Sequence, residues 1–140
     1  MTNSLSHNTQ NNKSNKIALF EQKEIRRTWQ DGKWYFSIVD IVGALTDSSD
    51  PKQYIKRVRS RDEWLNAKWG TICTPLDNVG KDGRKRSLLM SDTEGILRII
   101  QSIPSKKAEP FKRWLARVGR ERIDEINNPE LAAKRMRDFD

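Results

Sequence analysis

The sequence predicts an α+β fold, in which a small antiparallel sheet with two hairpins packs against four or five helices. Two observations predict the sheet. The pair Asp31-Gly32 separates the runs EIRRTWQ and KWYFSI, and a second pair of β-prone runs flanks a basic, glycine-containing loop. A third observation predicts the helices, because apolar residues recur at intervals of three and four along several segments. The length of 140 residues suits one domain with a modest core.

The first hairpin depends on Asp31-Gly32, which suits a type I′ turn because both central positions of that turn need positive φ. The turn would place Gln30 opposite Lys33 and Trp29 opposite Trp34. A cross-strand tryptophan pair stabilises a hairpin locally. We interpret it as a structural hairpin that covers the core, and the alternative is a platform on which bases stack.

Two helices follow the hairpin. Ile38, Ile41 and Leu45 recur at helical spacing, which predicts a short amphipathic helix near residues 38–46. Asp50-Pro51 is typical of an N-cap and the first position of a helix, which we expect at 51–60. A helix, a short polar turn and a basic helix together predict a helix-turn-helix-like element.

The second hairpin is predicted in WGTICTPLDNVGKDGRKRSLLM, with strands at 71–73 and 87–90. Pro75 favours an edge position or the end of the first strand, because proline cannot donate to a ladder. The connection predicts a flexible, positively charged β-loop that could act as a wing, and its four cations are Lys81, Arg84, Lys85 and Arg86.

Three further helices are expected. Ser91 and Glu94 have the spacing of a capping box before a helix at 92–103. The next helix covers 106–126, with Pro110 tolerated only in its first turn. Asn128 and Pro129 then suit the cap and first position of a last helix.

Composition divides the chain into three parts. Residues 1–16 are polar and rich in asparagine and serine, so we expect a disordered N-terminal tail. Residues 17–126 form the domain proper, and residues 127–140 are a C-terminal helical extension or a truncated linker.

The charge indicates the kind of partner. Lys and Arg number 27 against 19 Asp and Glu, which gives a net charge of +8. That balance favours nucleic acid first and an anionic membrane surface second. No apolar run approaches the roughly 18 residues that a membrane span needs, and no signal segment is recognisable. The single cysteine excludes an intramolecular disulfide, so a reducing, cytoplasmic setting is expected.

Signals for catalysis are poor. The lone histidine, His7, lies in the predicted tail, and with Cys73 it makes neither a zinc site nor a nucleophile pair. Asp77, Asp82 and Lys85 lie near a hairpin, as residues of metal nucleases do, but such a group is more often an ordinary loop. We therefore predict no enzyme, no catalytic residue, no metal and no cofactor.

The segment from Pro51 to Arg61 carries five basic residues and no acidic one. On a helical wheel Tyr54, Ile55 and Val58 share one side, and the opposite side is polar and basic. This pattern is typical of a recognition helix, whose cations contact phosphates while Gln53 reads a base edge. The predicted DNA-binding residues are Lys52, Gln53, Lys56, Arg57, Arg59 and Ser60, together with the β-loop residues Lys81, Arg84, Lys85 and Arg86.

Two segments resemble the Bro-N domain family. WYFSIVDIVGALTDSSDPKQYIKRV is similar to its hairpin strand, D-I-V-x-x-L helix and basic helix, and LMSDTEGILRIIQSIPSKKAEPFKRWLARVG is similar to its second half. The family includes phage and prophage antirepressors, baculovirus repeated-ORF proteins and DNA-damage-inducible protein D-like proteins. The resemblance covers about residues 17–126 and implies a nucleic-acid-binding module in transcriptional or prophage control.

The function expected from these observations is non-catalytic binding of double-stranded DNA. The alternative is a protein-interaction module that binds a repressor or another regulatory protein, and a homodimer is compatible with either. DNA binding should weaken steeply with salt through counterion release. A protein complex with an apolar centre should depend on salt more weakly.

Overall fold

The computed structural model describes residues 24–139, so the predicted disordered tail at residues 1–16 lies outside the described residues. The described part of the chain contains a four-stranded antiparallel sheet and six helices. The predicted α+β class is therefore confirmed, with one helix more than the four or five expected. Two compact units are distinguished, of which the first ends at Ala108 and the second begins at Glu109.

The first unit contains the whole sheet, with strand order β1-β2-β4-β3. Its elements in chain order are β1 (Arg27–Gln30), β2 (Lys33–Ser37), α1 (Ile38–Leu45), α2 (Pro51–Arg61), α3 (Glu63–Ile72), β3 (Thr74–Val79), β4 (Lys85–Asp92), α4 (Thr93–Gln101) and a 3-10 turn (Lys106–Ala108).

The β1–β2 hairpin has the predicted turn and register. Asp31 and Gly32 have φ angles of 52° and 78°, as a type I′ turn requires. Gln30 lies opposite Lys33 and Trp29 opposite Trp34, and the two indole rings meet edge to face with centroids 5.1 Å apart. Trp29 is nevertheless 58% exposed, so most of its surface remains in contact with water.

The strand predicted at residues 71–73 is wrong, because helix α3 extends to Ile72. Thr71 and Ile72 are the last two residues of this helix. Asp62 caps its N-terminus by accepting a hydrogen bond from the backbone N–H of Leu65 at 3.0 Å, and Leu65 and Trp69 are buried one turn apart. The cap and the buried face outweigh the β-propensity of two terminal residues, because propensity is a weak preference that tertiary packing overrides.

Strand β3 begins after this helix and forms an edge of the sheet, as Pro75 indicated. The β3–β4 connection closes with Gly83 at a φ of 79° and a hydrogen bond from the N–H of Gly80 to the carbonyl of Arg84. The predicted basic β-loop therefore joins two paired strands.

The N-cap of α4 is Asp92 rather than the predicted Ser91. Asp92 accepts a hydrogen bond from the N–H of Gly95 at 2.9 Å. Ser91 is instead a fully buried residue of β4, and its hydroxyl donates to the carbonyl of Ile72. The strand thus continues one residue beyond the expected cap, because the Ser91 hydroxyl satisfies a carbonyl at the end of α3.

The core of the first unit lies between the sheet and helices α1 and α4. Ile38, Ile41 and Leu45 on α1 are almost completely buried, and so is Met90 at the centre of the sheet. Helix α1 contacts β2, β4 and α2. The basic helix α2 is therefore held against the core by its predecessor in the chain.

The second unit contains α5 (Glu109–Asn127) and α6 (Pro129–Phe139). Asn128 accepts a hydrogen bond from the N–H of Glu130 at 3.3 Å, which confirms the predicted cap. Glu125 is only 6% exposed and accepts two hydrogen bonds from Arg135, the shorter at 2.6 Å. These bonds lower the pKa of Glu125 and tie the two helices together.

Candidate nucleic-acid interface

The turn between α1 and α2 is fixed by short polar side chains. Thr46 donates its hydroxyl to the carbonyl of Val42 at 2.8 Å and accepts from the N–H of Ser48 at 3.2 Å. Asp50 then accepts from the N–H of Gln53, also at 3.2 Å, so it is the predicted N-cap of α2. These hydrogen bonds set the direction in which α2 leaves α1.

Helix α2 buries one side and exposes the other. Val58 is buried, and Tyr54 and Ile55 are half-buried. The exposed face of α2 consists of Lys52, Gln53, Lys56, Arg57 and Ser60. Within the described part of the chain, no carboxylate pairs with any cation of this face.

The predicted site residues on α2 differ in their surroundings. The Arg59 guanidinium lies over the ring of Trp69, 4.8 Å from its centroid, and Arg59 Nε donates to the side-chain oxygen of Asn66 at 3.1 Å. Arg59 is therefore half-buried and oriented by α3. The hydroxyl of Ser60 donates to the carbonyl of Arg57 at 2.8 Å.

A groove of about 400 Å³, which we call the basic groove, lies between α2 and β4. Its cations are Arg26, Lys52, Lys56 and Arg59, and no acidic residue lines it. Its apolar lining residues are Val39, Ile55, Trp69, Leu88 and Leu89. The groove thus combines positive charge at its margin with an apolar floor.

Arg26 is a groove residue that the sequence did not indicate. Its guanidinium makes two hydrogen bonds to Asp40, at 2.8 and 2.9 Å, and its backbone N–H donates to the same carboxylate. This hydrogen bonding raises the pKa of Arg26. The partner is 14 residues away, and no local pattern links a residue before β1 to one on α1.

The β-loop is less positive than its sequence suggests. Arg84 has no ion pair within residues 24–139. Each of the other three loop cations faces a carboxylate: Lys81 faces Glu24 at 2.8 Å, Lys85 faces Asp77 at 3.9 Å, and Arg86 faces Asp82 at 2.7 Å. The hydrogen bond from Arg86 is the largest cause that lowers the pKa of Asp82 to about 2. Three of the four loop cations therefore face carboxylates, whereas the cations on the exposed face of α2 do not.

The acidic residues near the loop do not gather into a metal site. Among residues 24–139, no group of three or more His, Cys, Asp or Glu side chains is close enough to hold a metal ion. In the same part of the chain, none of the helices has the length and apolarity needed to cross a membrane.

These features define a small α+β domain with a basic helix packed on a short preceding helix and a charged hairpin loop nearby. The family model for the BRO family, N-terminal domain, matches residues 24–122, and the chain belongs to this family. The match begins before β1 and ends within α5, so it includes the sheet and the basic groove. No curated protein and no solved structure matches the chain.

Proposed function

We propose that this chain is a non-catalytic DNA-binding domain of an antirepressor-like transcriptional regulator of the kind that prophages encode. The observation that carries the proposal is the exposed face of α2, where Lys52, Lys56 and Arg57 have no carboxylate partner in the described part of the chain. Cations that are already unpaired can meet phosphates without first breaking an ion pair. Membership of the BRO family supports the same class of function.

The exposed face of α2 offers both kinds of contact that a sequence-specific DNA-binding protein makes, namely contacts to phosphates and contacts to base edges. Lys52, Lys56 and Arg57 would bind phosphates and displace counterions. Gln53 lies in the first turn of α2, where its amide could pair with the N6 and N7 atoms of adenine. In helix-turn-helix proteins the N-terminal part of the recognition helix reaches the base edges, which is where Gln53 lies.

The β-loop would contribute a weaker, sequence-independent contact. Arg84 can meet a phosphate directly, whereas Lys81, Lys85 and Arg86 would each exchange a carboxylate for a phosphate. Exposed ion pairs are weak, so this exchange is feasible but gains little. We therefore assign the larger share of binding to α2.

The first prediction tests the exposed face of α2 with the variant Lys52→Ala, Lys56→Ala, Arg57→Ala. Binding to random duplex DNA should weaken, and the slope of log affinity against log salt should flatten by up to roughly three, or about one per lost phosphate contact. Fluorescence anisotropy at several salt concentrations measures both quantities. Arg59 is left intact because it packs on Trp69.

The matched control removes the same charge elsewhere. Arg113, Arg117 and Arg120 are exposed on α5, and their triple replacement by alanine lowers the net charge equally. This control should retain the wild-type salt slope. An equal loss of DNA affinity in both triple variants would mean that net charge, rather than the exposed face of α2, determines binding.

The apolar floor of the basic groove favours a second candidate, a protein-interaction module that binds a repressor or another regulatory protein. Phosphates alone would gain nothing from apolar side chains such as Val39 and Ile55. This candidate predicts weak binding to random duplex and a shallow dependence of partner binding on salt. A homodimer would be compatible with either function.

A further inference from the structure

Strand β4 has an open edge. On one side, β3 pairs with the residues from Lys85 to Met90. On the other side, β2 pairs only with the last three residues of β4, from Met90 to Asp92, because β2 ends where α1 begins. Within residues 24–139, residues 85–89 therefore have no strand on their second side, over a length of about 17 Å at the usual rise per residue.

The register shows which backbone groups point to this edge. Leu89 lies opposite Pro75, which has no N–H and cannot exchange hydrogen bonds within the ladder. Pairing alternates along antiparallel strands, so Leu89 and Ser87 direct their N–H and C=O groups away from β3. Outside the strand ladder, neither N–H donates to any backbone group in the described residues.

The open edge faces the basic groove. Three consecutive residues of β4, Ser87, Leu88 and Leu89, line that groove. Side chains alternate between the two faces of a strand, so three consecutive residues can line one groove only if the backbone edge itself faces it. The opposite wall is α2, with Lys52 and Lys56 exposed above the half-buried Ile55.

We propose that the basic groove binds an extended acidic peptide, which adds to the open edge of β4 as a further strand. Main-chain hydrogen bonds to Ser87 and Leu89 would hold the peptide backbone, as in other cases of strand addition to a sheet edge. Acidic side chains of the peptide would meet Lys52 and Lys56, and apolar side chains would cover Ile55 and Val39. The partner is thus a protein segment with alternating acidic and apolar residues.

The edge itself distinguishes a peptide from nucleic acid. Ser87 presents a carbonyl acceptor as well as an N–H donor, and Leu89 presents an N–H donor, since its carbonyl lies where the Ser37–Met90 pair uses it. The sugar–phosphate backbone of DNA offers acceptors but no N–H group to pair with the Ser87 carbonyl. A peptide strand offers both in the same alternation. The cationic margin without any acidic lining residue then selects acidic over basic peptides.

This site is separate from the DNA-binding proposal, although Lys52 and Lys56 belong to both surfaces. Strand addition needs the backbone of β4, which DNA bound to the exposed face of α2 would not use. A substitution at the open edge can therefore weaken peptide binding while DNA binding is unchanged. A peptide in the groove would also cover two of the proposed phosphate contacts, so peptide and DNA should compete.

The test begins with selection from a phage-displayed library of random dodecapeptides on the full chain. The expected result is enrichment of sequences with alternating acidic and apolar residues. The best synthetic peptide should bind about two- to tenfold more weakly to the Leu89→Pro variant, which loses one outward N–H, the scale of a single hydrogen bond. Lys56→Gln should weaken binding similarly, whereas Arg61→Gln, on the same helix but outside the groove, should not.

A second measurement does not depend on the variants folding. Hydrogen exchange followed by NMR should show that the amides of Ser87 and Leu89 become protected when the peptide binds the wild-type chain. Protection without peptide at every protein concentration would mean that residues 1–23 cover the edge. Protection that grows with protein concentration would mean that a second copy does, and either result would overturn the proposal.

Two further outcomes are decisive. A selection that enriches no acidic sequence, or an enriched peptide that leaves both amides unprotected, would also overturn the proposal. Groove variants that weaken only DNA binding would assign the groove to nucleic acid instead. The Leu89→Pro variant should bind random duplex DNA like wild type, so a failure of the peptide site leaves the DNA-binding proposal open to its own test.

Discussion

At the scale of single residues, equal charges on one helix have different roles. Arg57 is exposed, and its guanidinium lies 5.6 Å from the centroid of the Tyr54 ring. Arg59, two positions later, is oriented by Trp69 and Asn66 on α3. An arginine held in this way contributes packing as well as charge. Removing Arg59 would therefore perturb the fold and the surface together.

Asp62 gives the clearest prediction at this scale. Its carboxylate accepts hydrogen bonds from Ser102, from the N–H of Leu65 and from Arg98, which together lower its pKa from 3.8 to about 2. The unfolded chain therefore takes up a proton at higher pH than the folded chain does. The stability contributed by Asp62 is complete above about pH 4 and is lost as the pH falls towards 2.

The measurement is the free energy of unfolding in urea at pH 6 and at pH 3. Asp62→Asn should lose less stability between these two values than wild type, because the titrating group is gone. Asp82 has its pKa lowered in the same range, so Asp82→Asn serves as a comparison and some pH dependence should remain. An unchanged difference between pH 6 and pH 3 in Asp62→Asn would contradict the assignment.

Among the elements, the β1–β2 hairpin is held by contacts between its own two strands and by the pairing of β2 with β4. Trp29 packs edge to face on Trp34, and the guanidinium of Arg27 lies 4.0 Å from the centroid of the Trp34 ring. These contacts are between neighbouring strands and lie at the surface. The tryptophan pair therefore stabilises the hairpin at the surface of the sheet rather than in the core.

Trp29→Ala should accordingly cost about 1–2 kcal/mol of unfolding free energy, less than the roughly 3–5 kcal/mol of a fully buried aromatic residue. Chemical denaturation of the variant measures this cost. Gln30→Ala, an exposed neighbour at the turn, should change stability by less than about 0.5 kcal/mol. A cost above about 3 kcal/mol would mean that Trp29 is buried in solution.

The junction between β4 and α4 depends on a glycine. A Cβ atom at Gly95 would lie 1.8 Å from the Ser91 hydroxyl oxygen and 3.2 Å from the carbonyl oxygen of Ile72. Gly95→Ala should therefore destabilise the protein by about 1–3 kcal/mol, although alanine favours helix. The contact is with a buried hydroxyl that already bonds to the end of α3, so little room exists for movement.

Gly119 provides the matched control. It lies within α5, and a Cβ atom there would meet nothing within 4 Å. Gly119→Ala should stabilise the protein by up to about 1 kcal/mol through helix propensity alone. Thermal denaturation of the two variants should give shifts of opposite sign, and a gain in stability for Gly95→Ala would refute the packing argument.

Across the whole molecule, positive charge is distributed unevenly, which the net charge alone does not show. The net charge is +8, but much of the β-loop's positive charge lies beside carboxylates of its own chain. Lys52, Lys56 and Arg57 on the exposed face of α2 have no carboxylate partner within residues 24–139, whereas Arg26 of the basic groove pairs with Asp40. Of these two surfaces, the β-loop and the exposed face of α2, the latter should therefore carry the stronger positive potential.

Features that depend on neighbouring residues in the chain were predictable from the amino-acid sequence. The Asp31-Gly32 turn, the Asp50-Pro51 helix start and the basic side of α2 were all predictable, because each depends on contacts within about four residues. The family resemblance was likewise carried by contiguous motifs. The predicted tail at residues 1–16 lies outside the described residues and stays a prediction.

The contacts between distant groups become visible in the folded chain. It paired Glu24 with Lys81 and Arg26 with Asp40, and neither pairing follows from any local pattern. It also turned Thr71 and Ile72 into the end of a helix, because Leu65 and Trp69 find a core to bury against. The open edge of β4, which borders the basic groove, exists because β2 ends at Ser37. Where β2 ends depends on how distant strands pair. Local sequence fixes turns, caps and faces, whereas burial and pairing between distant segments require the folded chain.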